Sequence, residues 1–254
     1  MAQIFSRKSN VYARVVMLAL VVLPISALAI ASAITRSPYN TNVGIPITQP
    51  VPFSHEHHVV ELGIDCRYCH TYVEKSGNPG LPSTQVCMSC HSQIWTDSPL
   101  IAPVRQSWRD NKPIVWNRLN WLPRYVYFAH NVHIAAGISC NDCHGPIQSM
   151  MITYKGKAFW MSFCLNCHRQ PEKFISPRHD VWKLYRDIER YGNHLEITNG
   201  QGQQISPGLT SRESALLEGK YYENQGRDLV IGEQLKRDLH IQSALLTNCS
   251  VCHH

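Results

Sequence analysis

One pattern recurs five times in this chain and uses every one of its ten cysteines: Cys66-Arg-Tyr-Cys69-His70, Cys87-Met-Ser-Cys90-His91, Cys140-Asn-Asp-Cys143-His144, Cys164-Leu-Asn-Cys167-His168 and Cys249-Ser-Val-Cys252-His253. Two simpler readings compete, zinc ribbons and disulfides of an oxidising compartment, and neither requires a histidine after the second cysteine. Histidine is 14 of 254 residues, so five chance histidines in those places have a probability of roughly 5 × 10⁻⁷. Covalent haem attachment does require this spacing. Two thiols three residues apart form thioethers to the two vinyl groups of a haem, and the next residue delivers an imidazole to the iron. The pattern predicts five haem c groups. Cys66, Cys69, Cys87, Cys90, Cys140, Cys143, Cys164, Cys167, Cys249 and Cys252 would be the thioether positions, and His70, His91, His144, His168 and His253 the proximal iron ligands.

Stoichiometry then constrains the fold. The 214 residues beyond position 40 leave about 43 for each haem, too few to give each ring its own apolar core. The expected fold is a multihaem cytochrome c, mostly irregular, with short α-helices wrapped around a five-haem stack and one N-terminal transmembrane helix. Charged residues are 17% and apolar residues 44%, with no long block of like charge, which excludes wholesale disorder. The formal charge of +6 is too scattered to indicate nucleic acid. Ten haem propionates would carry it to about −4 with ferrous irons.

Residues 15–34, VVMLALVVLPISALAIASAI, contain no charge and suffice to cross a ~30 Å hydrocarbon core. Arg7, Lys8 and Arg14 precede them and only Arg36 follows closely, so the positive-inside rule predicts residues 1–14 in the cytoplasm and the rest outside. The competing reading is a signal peptide cleaved near Ala31-Ser32-Ala33. The expectation is a retained anchor, single-pass in a bacterial cytoplasmic membrane, with the haem domain on the periplasmic side. Pro24 inside the segment predicts a kink or a neighbouring helix. Residues 35–52, rich in proline, read as an extended stalk before a haem domain over 53–254.

An internal repeat divides that domain. Phe53-Ser-His55-Glu-His57-His58 and Phe128-Ala-His130-Asn-Val-His133 share Phe-x-His-x-x-His, and Gly63-Ile-Asp and Gly137-Ile-Ser precede the first and third attachment sites. The two di-haem modules are 53–95 and 128–172, with a fifth haem over 240–254. Residues three apart on a helical turn reach different irons, which nominates His55, His58, His130 and His133 as distal ligands. His240, nine residues before Cys249, is nominated for the fifth iron, with Met161 as the alternative. Met150, Met151, His179 and His194 are weaker candidates, His57 reads as an outward-facing neighbour, and His254 carries no role. The spacer 96–127 and its borders hold Trp95, Trp108, Trp116 and Trp121 among prolines. It reads as an extended aromatic strap over haem faces, or else as a docking surface. The charged spacer 173–239 reads as a solvated insertion. Within it Asp180 would cap a helix through Val181, Leu184, Ile188 and Tyr191 to Gly192.

The strings FSHEHHVVELGIDCRYCH, CMSCHSQIW, VWNRL, YVYFAHNVHIAAGISCNDCHG, CLNCHRQPE and LTNCSVCHH closely resemble the pentahaem cytochrome subunit of alternative complex III. The likeness covers 53–172 and the last dozen residues, while 173–238 departs from the family pattern. The resemblance implies a bacterial respiratory or photosynthetic assembly that oxidises quinol and reduces a soluble cytochrome c or small copper protein. In such an assembly this chain is the electron-transfer subunit and not by itself an enzyme, with the quinol site in neighbouring membrane subunits. Its bis-histidine pairs carry over onto His55, His58, His130 and His133. The partners implied are the other subunits of that complex, a periplasmic acceptor protein and membrane lipid around one helix, with no nucleic acid. A stand-alone multihaem quinol dehydrogenase is the second reading. A multihaem reductase of nitrite or hydroxylamine is the third, and it needs one iron with an open position.

Overall fold

The computed structural model describes Ser6 and residues 8–182, 196–198, 204–207 and 229–253, divided into two compact units, Met1–Val43 and Gly44–His254. In the first unit, α1 (Ser9–Arg36) runs for 28 residues with Pro24 inside it and none of its residues buried. At 1.5 Å per residue it is about 42 Å long. The helix is long and apolar enough to cross a membrane, consistent with a single-pass anchor. A one-turn helix, α2 (Pro38–Thr41), comes next and closes at Asn42 in the left-handed conformation.

The second unit is built of short helices: α3 (Cys66–Cys69), α4 (Thr84–His91), α5 (Ala102–Asp110), α6 (His130–Ala135), α7 (Cys140–His144), α8 (Met161–Arg169), α9 (Leu229–Asp238), α10 (Ser243–Leu246) and α11 (Cys249–Cys252). A small antiparallel pair, β1 (Glu196–Thr198) and β2 (Gln204–Pro207), lies in the charged spacer, where the sequence suggested only a solvated insertion. The apolar side-chain clusters are small. Val51, Ile101 and Val104 gather with Cys87, Met88, Ile114 and Trp116, and Val73, Ile134 and Val181 gather with Trp182.

The sequence repeat is a structural repeat. Phe53 stacks on His58 (4.4 Å between ring centres, 28° between planes) and meets His55 edge-on (4.9 Å, 90°). Phe128 stacks on His133 (4.5 Å, 28°) and meets His130 edge-on (4.7 Å, 89°). The Ile64 N–H donates to the His58 carbonyl and the Ile138 N–H to the His133 carbonyl, each at 3.0 Å, and Gly63 and Gly137 both turn at positive φ (67° and 84°). The modules differ at one point. His58 stands eight residues before Cys66, whereas His133 stands seven before Cys140. The extra residue is absorbed by a π-helical turn, Glu56–Glu61, where the second module has the regular helix α6. A π-turn is the form that a single insertion takes inside a helix.

Each module also anchors the other. The His130 N–H donates to the Gly77 carbonyl (3.1 Å), and the His55 N–H donates to the Met150 carbonyl (3.0 Å). The histidine segment of each module therefore hangs on the loop after the first attachment turn of its counterpart. Ser176 donates back to the Gly137 carbonyl at 3.1 Å, and Val181, 1% exposed, packs over the junction against Val73 and Ile134.

Three expectations differ from the structure. The stalk is shorter than 35–52: Pro46 bridges Tyr154, Gln49 pairs with Asn117, and Val51 is buried, because an apolar side chain near the end of an extended segment gains by joining a cluster. The aromatic spacer is not extended throughout. Pro103 falls in the first turn of α5, where a missing N–H costs nothing, and Asn111 closes the helix at φ 50°. Asp180 ends a 3₁₀ turn, Arg178–Asp180, where it was expected to cap a helix, and the helix expected through Leu184, Ile188, Tyr191 and Gly192 lies outside the described residues.

Candidate haem-binding sites

Each attachment pentapeptide sits on a single helical turn, so the two cysteines share a face and the histidine comes directly after them. Three of these turns are capped by their own flanks. Asp65 accepts from the Arg67 N–H, Asn248 accepts from the Ser250 N–H, and Ser139 and Asp142 close a capping box around α7. None of the ten cysteines, all of them among the described residues, is in a disulfide. Burial pushes Cys143 up to about 12, and the neighbouring Cys66 thiol together with burial holds Cys140 well above the usual thiol range.

Six imidazoles are fixed in one tautomer by main-chain carbonyls. From Nδ1, His58 donates to the Ser54 carbonyl (2.8 Å), His70 to Gly80 (3.0 Å), His91 to Ile94 (3.3 Å), His130 to Gly77 (2.9 Å), His133 to Ala129 (2.9 Å) and His168 to Leu246 (3.1 Å). A carbonyl only accepts, so the proton is on Nδ1 and the Nε2 lone pair is free. His55 Nδ1 reaches the Thr153 hydroxyl at 3.2 Å. His144 Nδ1 lies 3.2 Å from the Asn120 Nδ2, and the buried Asn120 Oδ1 is left without a partner; exchanging the two amide atoms would let that oxygen take the Nδ1 proton as the carbonyls do elsewhere. Burial favours the neutral form at five of these rings. It is the first cause that draws His55 and His144 down to about 4, with neighbouring histidines adding to it, and it also lowers His58, His130 and His133. Neutral imidazole with a free Nε2 is the form that ligates a metal.

The rings also stand at the right separation. An imidazole nitrogen binds a first-row metal at about 2.0–2.1 Å and lies about 1.1 Å from its ring centre, so two rings trans on one iron have centres about 6.3 Å apart. His58 and His91 are 6.2 Å apart, His133 and His168 6.2 Å, and His130 and His144 6.3 Å. His55 lies at the same junction, in the electrostatic reach of His70 and His144. The residues present therefore fit haem, by tautomer, charge and spacing.

The remaining candidates stand apart. The ring that meets His253 among the described residues is Tyr125, at 5.9 Å and tilted by 32°. His240 is exposed in the left-handed conformation (φ 53°) just beyond α9, and Met161 is 66% exposed at the start of α8. Met150 is buried and Met151 exposed. His57 pairs with Glu61 at 2.6 Å on the surface and lies 6.1 Å from the Trp95 ring. His179 is near Asp180 at 3.4 Å, while His194 and His254 are outside the described residues. Trp116 joins the Val51 cluster, and Trp95, Trp108 and Trp121 are exposed. Sequence reasoning missed Asn120 and Thr153. Nothing in the letters marks them, because each acts through a contact that only the folded chain creates.

A family model described as cytochrome c7 and related cytochrome c matches residues 126–190, the second module and the start of the charged spacer. The multihaem cytochrome c subunit of menaquinone reductase from Nitratidesulfovibrio vulgaris is 37% identical over 97 residues, which is 38% of this chain and 45% of that protein. The chain thus spans less than half the length of that relative. Residues 126–190 thus resemble the cytochrome c7 family, and with the repeated attachment turns and their facing imidazoles these likenesses are those of multihaem cytochromes c.

Proposed function

We propose that this chain is a membrane-anchored cytochrome c with five covalent haems, carrying single electrons between the quinone-handling subunits of a membrane complex and a periplasmic protein. The complex would be of the alternative complex III kind, oxidising quinol, and the acceptor a soluble cytochrome c or copper protein. The observation that supports this best is the set of eight imidazoles with Nδ1 engaged, six of them in pairs 6.2–6.3 Å apart. Bound haem c supplies reversible one-electron exchange between ferric and ferrous iron. The chain's part would be to hold each ring through two thioethers and to offer the iron two imidazoles, which would leave no place there for substrate or water. His70, His91, His144, His168 and His253 would be the proximal ligands. His58 faces His91 and His133 faces His168, while His55 and His130 serve the irons of His70 and His144. His240 is assigned to the iron of His253, with Met161 as the alternative. A second reading has a specific support: the relative named for menaquinone reduction suggests the same conductor run in reverse, from a periplasmic donor toward quinone.

Intact-mass spectrometry of the purified chain is expected to show five added haems, and low-temperature EPR only low-spin ferric signals. A stoichiometric high-spin signal in the native complex would instead favour a reductase with an open iron. Copurification with polytopic membrane subunits, and reduction by added quinol in those preparations, separates the complex from a stand-alone dehydrogenase and sets the direction.

A further inference from the structure

We infer that the five attachment turns stand in single file in the order Cys87–His91, Cys66–His70, Cys140–His144, Cys164–His168, Cys249–His253, so that spatial order departs from chain order at one end. The inference deepens the proposed function and rests on each turn holding a haem.

Each link is a contact between consecutive members of that order. The Tyr68 hydroxyl, inside the first turn in sequence, meets the Ser89 hydroxyl inside the second at 2.8 Å, and the Cys69 thiol feels Cys87 and Cys90. The first and third turns meet across the module junction. There Cys66 adjoins Cys140, and His130, 6.3 Å from His144, is tied by its main chain and its Nδ1 to Gly77, three residues from the carbonyl that holds His70. Cys66 and Cys140 occupy equivalent places in the repeat. The modules therefore join through like surfaces, as the halves of a two-fold dimer do. The third and fourth turns are joined by Phe159, edge-on to His144 at 6.4 Å and 5.7 Å from Phe163, the residue before Cys164. Cys143 is in turn within electrostatic reach of Cys164 and Cys167. The fourth and fifth turns are joined twice. His168 donates to the Leu246 carbonyl, three residues before Cys249, at 3.1 Å, and the Tyr127 N–H donates to the Cys252 carbonyl at 2.8 Å, next to the Phe128 that stacks on His133. Cys164 also feels Cys252.

In this order the second module with the fifth turn forms one arm and the first module the other. The free end of the shorter arm is the Cys87–His91 turn, beside the exposed Trp95, and that of the longer arm is the Cys249–His253 turn, beside the exposed Tyr125.

Electron cryomicroscopy of the detergent-solubilised complex containing the full chain tests this directly. The haem on Cys66 and Cys69 is expected between those on Cys87/Cys90 and Cys140/Cys143, and the haem on Cys249/Cys252 is expected against that on Cys164/Cys167 alone. A map with the Cys87/Cys90 haem in an interior position, or with the Cys249/Cys252 haem against any other, overturns the order. A second measurement uses Cys66→Ala combined with Cys69→Ala. Loss of the junction haem is expected to leave the Cys87/Cys90 haem as an isolated low-spin EPR signal without exchange broadening, and persistent coupling of all the remaining haems overturns the order. If that variant does not fold, the map decides. Fewer than five haems on the unaltered chain by mass would sink the underlying reading, whereas five haems in another sequence would sink the order alone.

Discussion

His133 faces His168 with ring centres 6.2 Å apart, and Phe128 holds it there from behind at 4.5 Å. Its Nδ1 is tied to the Ala129 carbonyl, so the ring has one free nitrogen, Nε2. His133→Ala is expected to leave all haems attached, because both thioethers remain, while converting one low-spin centre to a high-spin or water-ligated one and slowing electron throughput. Mass spectrometry and EPR on the same sample check both halves, and an unchanged spectrum removes His133 from the ligand set.

Replacing Asn120 with Leu removes the acceptor for His144 Nδ1. A ligand that no longer shares its Nδ1 proton is a weaker donor and stabilises ferric iron less. One midpoint potential is expected to rise by about 30–60 mV, a factor of roughly three to ten in a one-electron equilibrium. Asn120→Asp is expected to move it the other way, and spectroelectrochemistry distinguishes the two.

Gly63 and Gly137 occupy equivalent turns but have different neighbours. Both have positive φ, so alanine at either costs about 1–2 kcal/mol. A side chain at Gly63 meets open space, whereas one at Gly137 collides with the Ser176 carbonyl. Gly137→Ala is therefore expected to cost about 1–3 kcal/mol more than Gly63→Ala in denaturant unfolding of the holoprotein. Equal losses would show that Ser176 moves aside freely.

Helix α9 docks through Gly232, whose missing side chain lets it lie against the Glu172 carbonyl, and through Lys236 Nζ, 2.7 Å from the Glu172 carboxylate. Burial pulls the Glu172 carboxyl up, but the Lys236 hydrogen bond and charge outweigh it, and the net shift is below the usual value of 4.5. A carboxyl depressed on folding contributes stability that is present above its unfolded pKa and disappears as pH falls through the folded value. Glu172→Gln is thus expected to cost about 1–2 kcal/mol at neutral pH. The gap to the parent should close as pH drops below about 4.5 in parallel unfolding titrations. A gap that persists at low pH would assign the loss to packing.

What could be read from the sequence was what repeats at fixed spacing. The attachment turns and the Phe-x-His-x-x-His segments arise from local geometry, and they reappear ring for ring at Phe53 and Phe128. The one-residue difference between the modules was visible as a number, but its resolution into a π-turn at Glu56–Glu61 depends on Gly63 keeping its turn. Features made by distant partners were not visible. Val51 joining Ile101, Pro103 opening a helix amid prolines, and Thr153 and Asn120 reaching His55 and His144 all depend on pairs 24 to 98 residues apart or on a local preference that composition masks. His240 was nominated by spacing alone, and the structure leaves it exposed in a left-handed turn, with no repeat partner to fix it.

Six of the eight ligand-type histidines rest on main-chain carbonyls, which no substitution can delete and no physiological pH can titrate. Under the proposed ligation, the electron affinity of those centres would be insulated from drift at neighbouring positions. Only at Asn120 and Thr153, both serving the seam between the duplicated halves, does a side chain meet Nδ1, so under the proposed ligation heritable retuning of the conductor would have its readiest access at its middle.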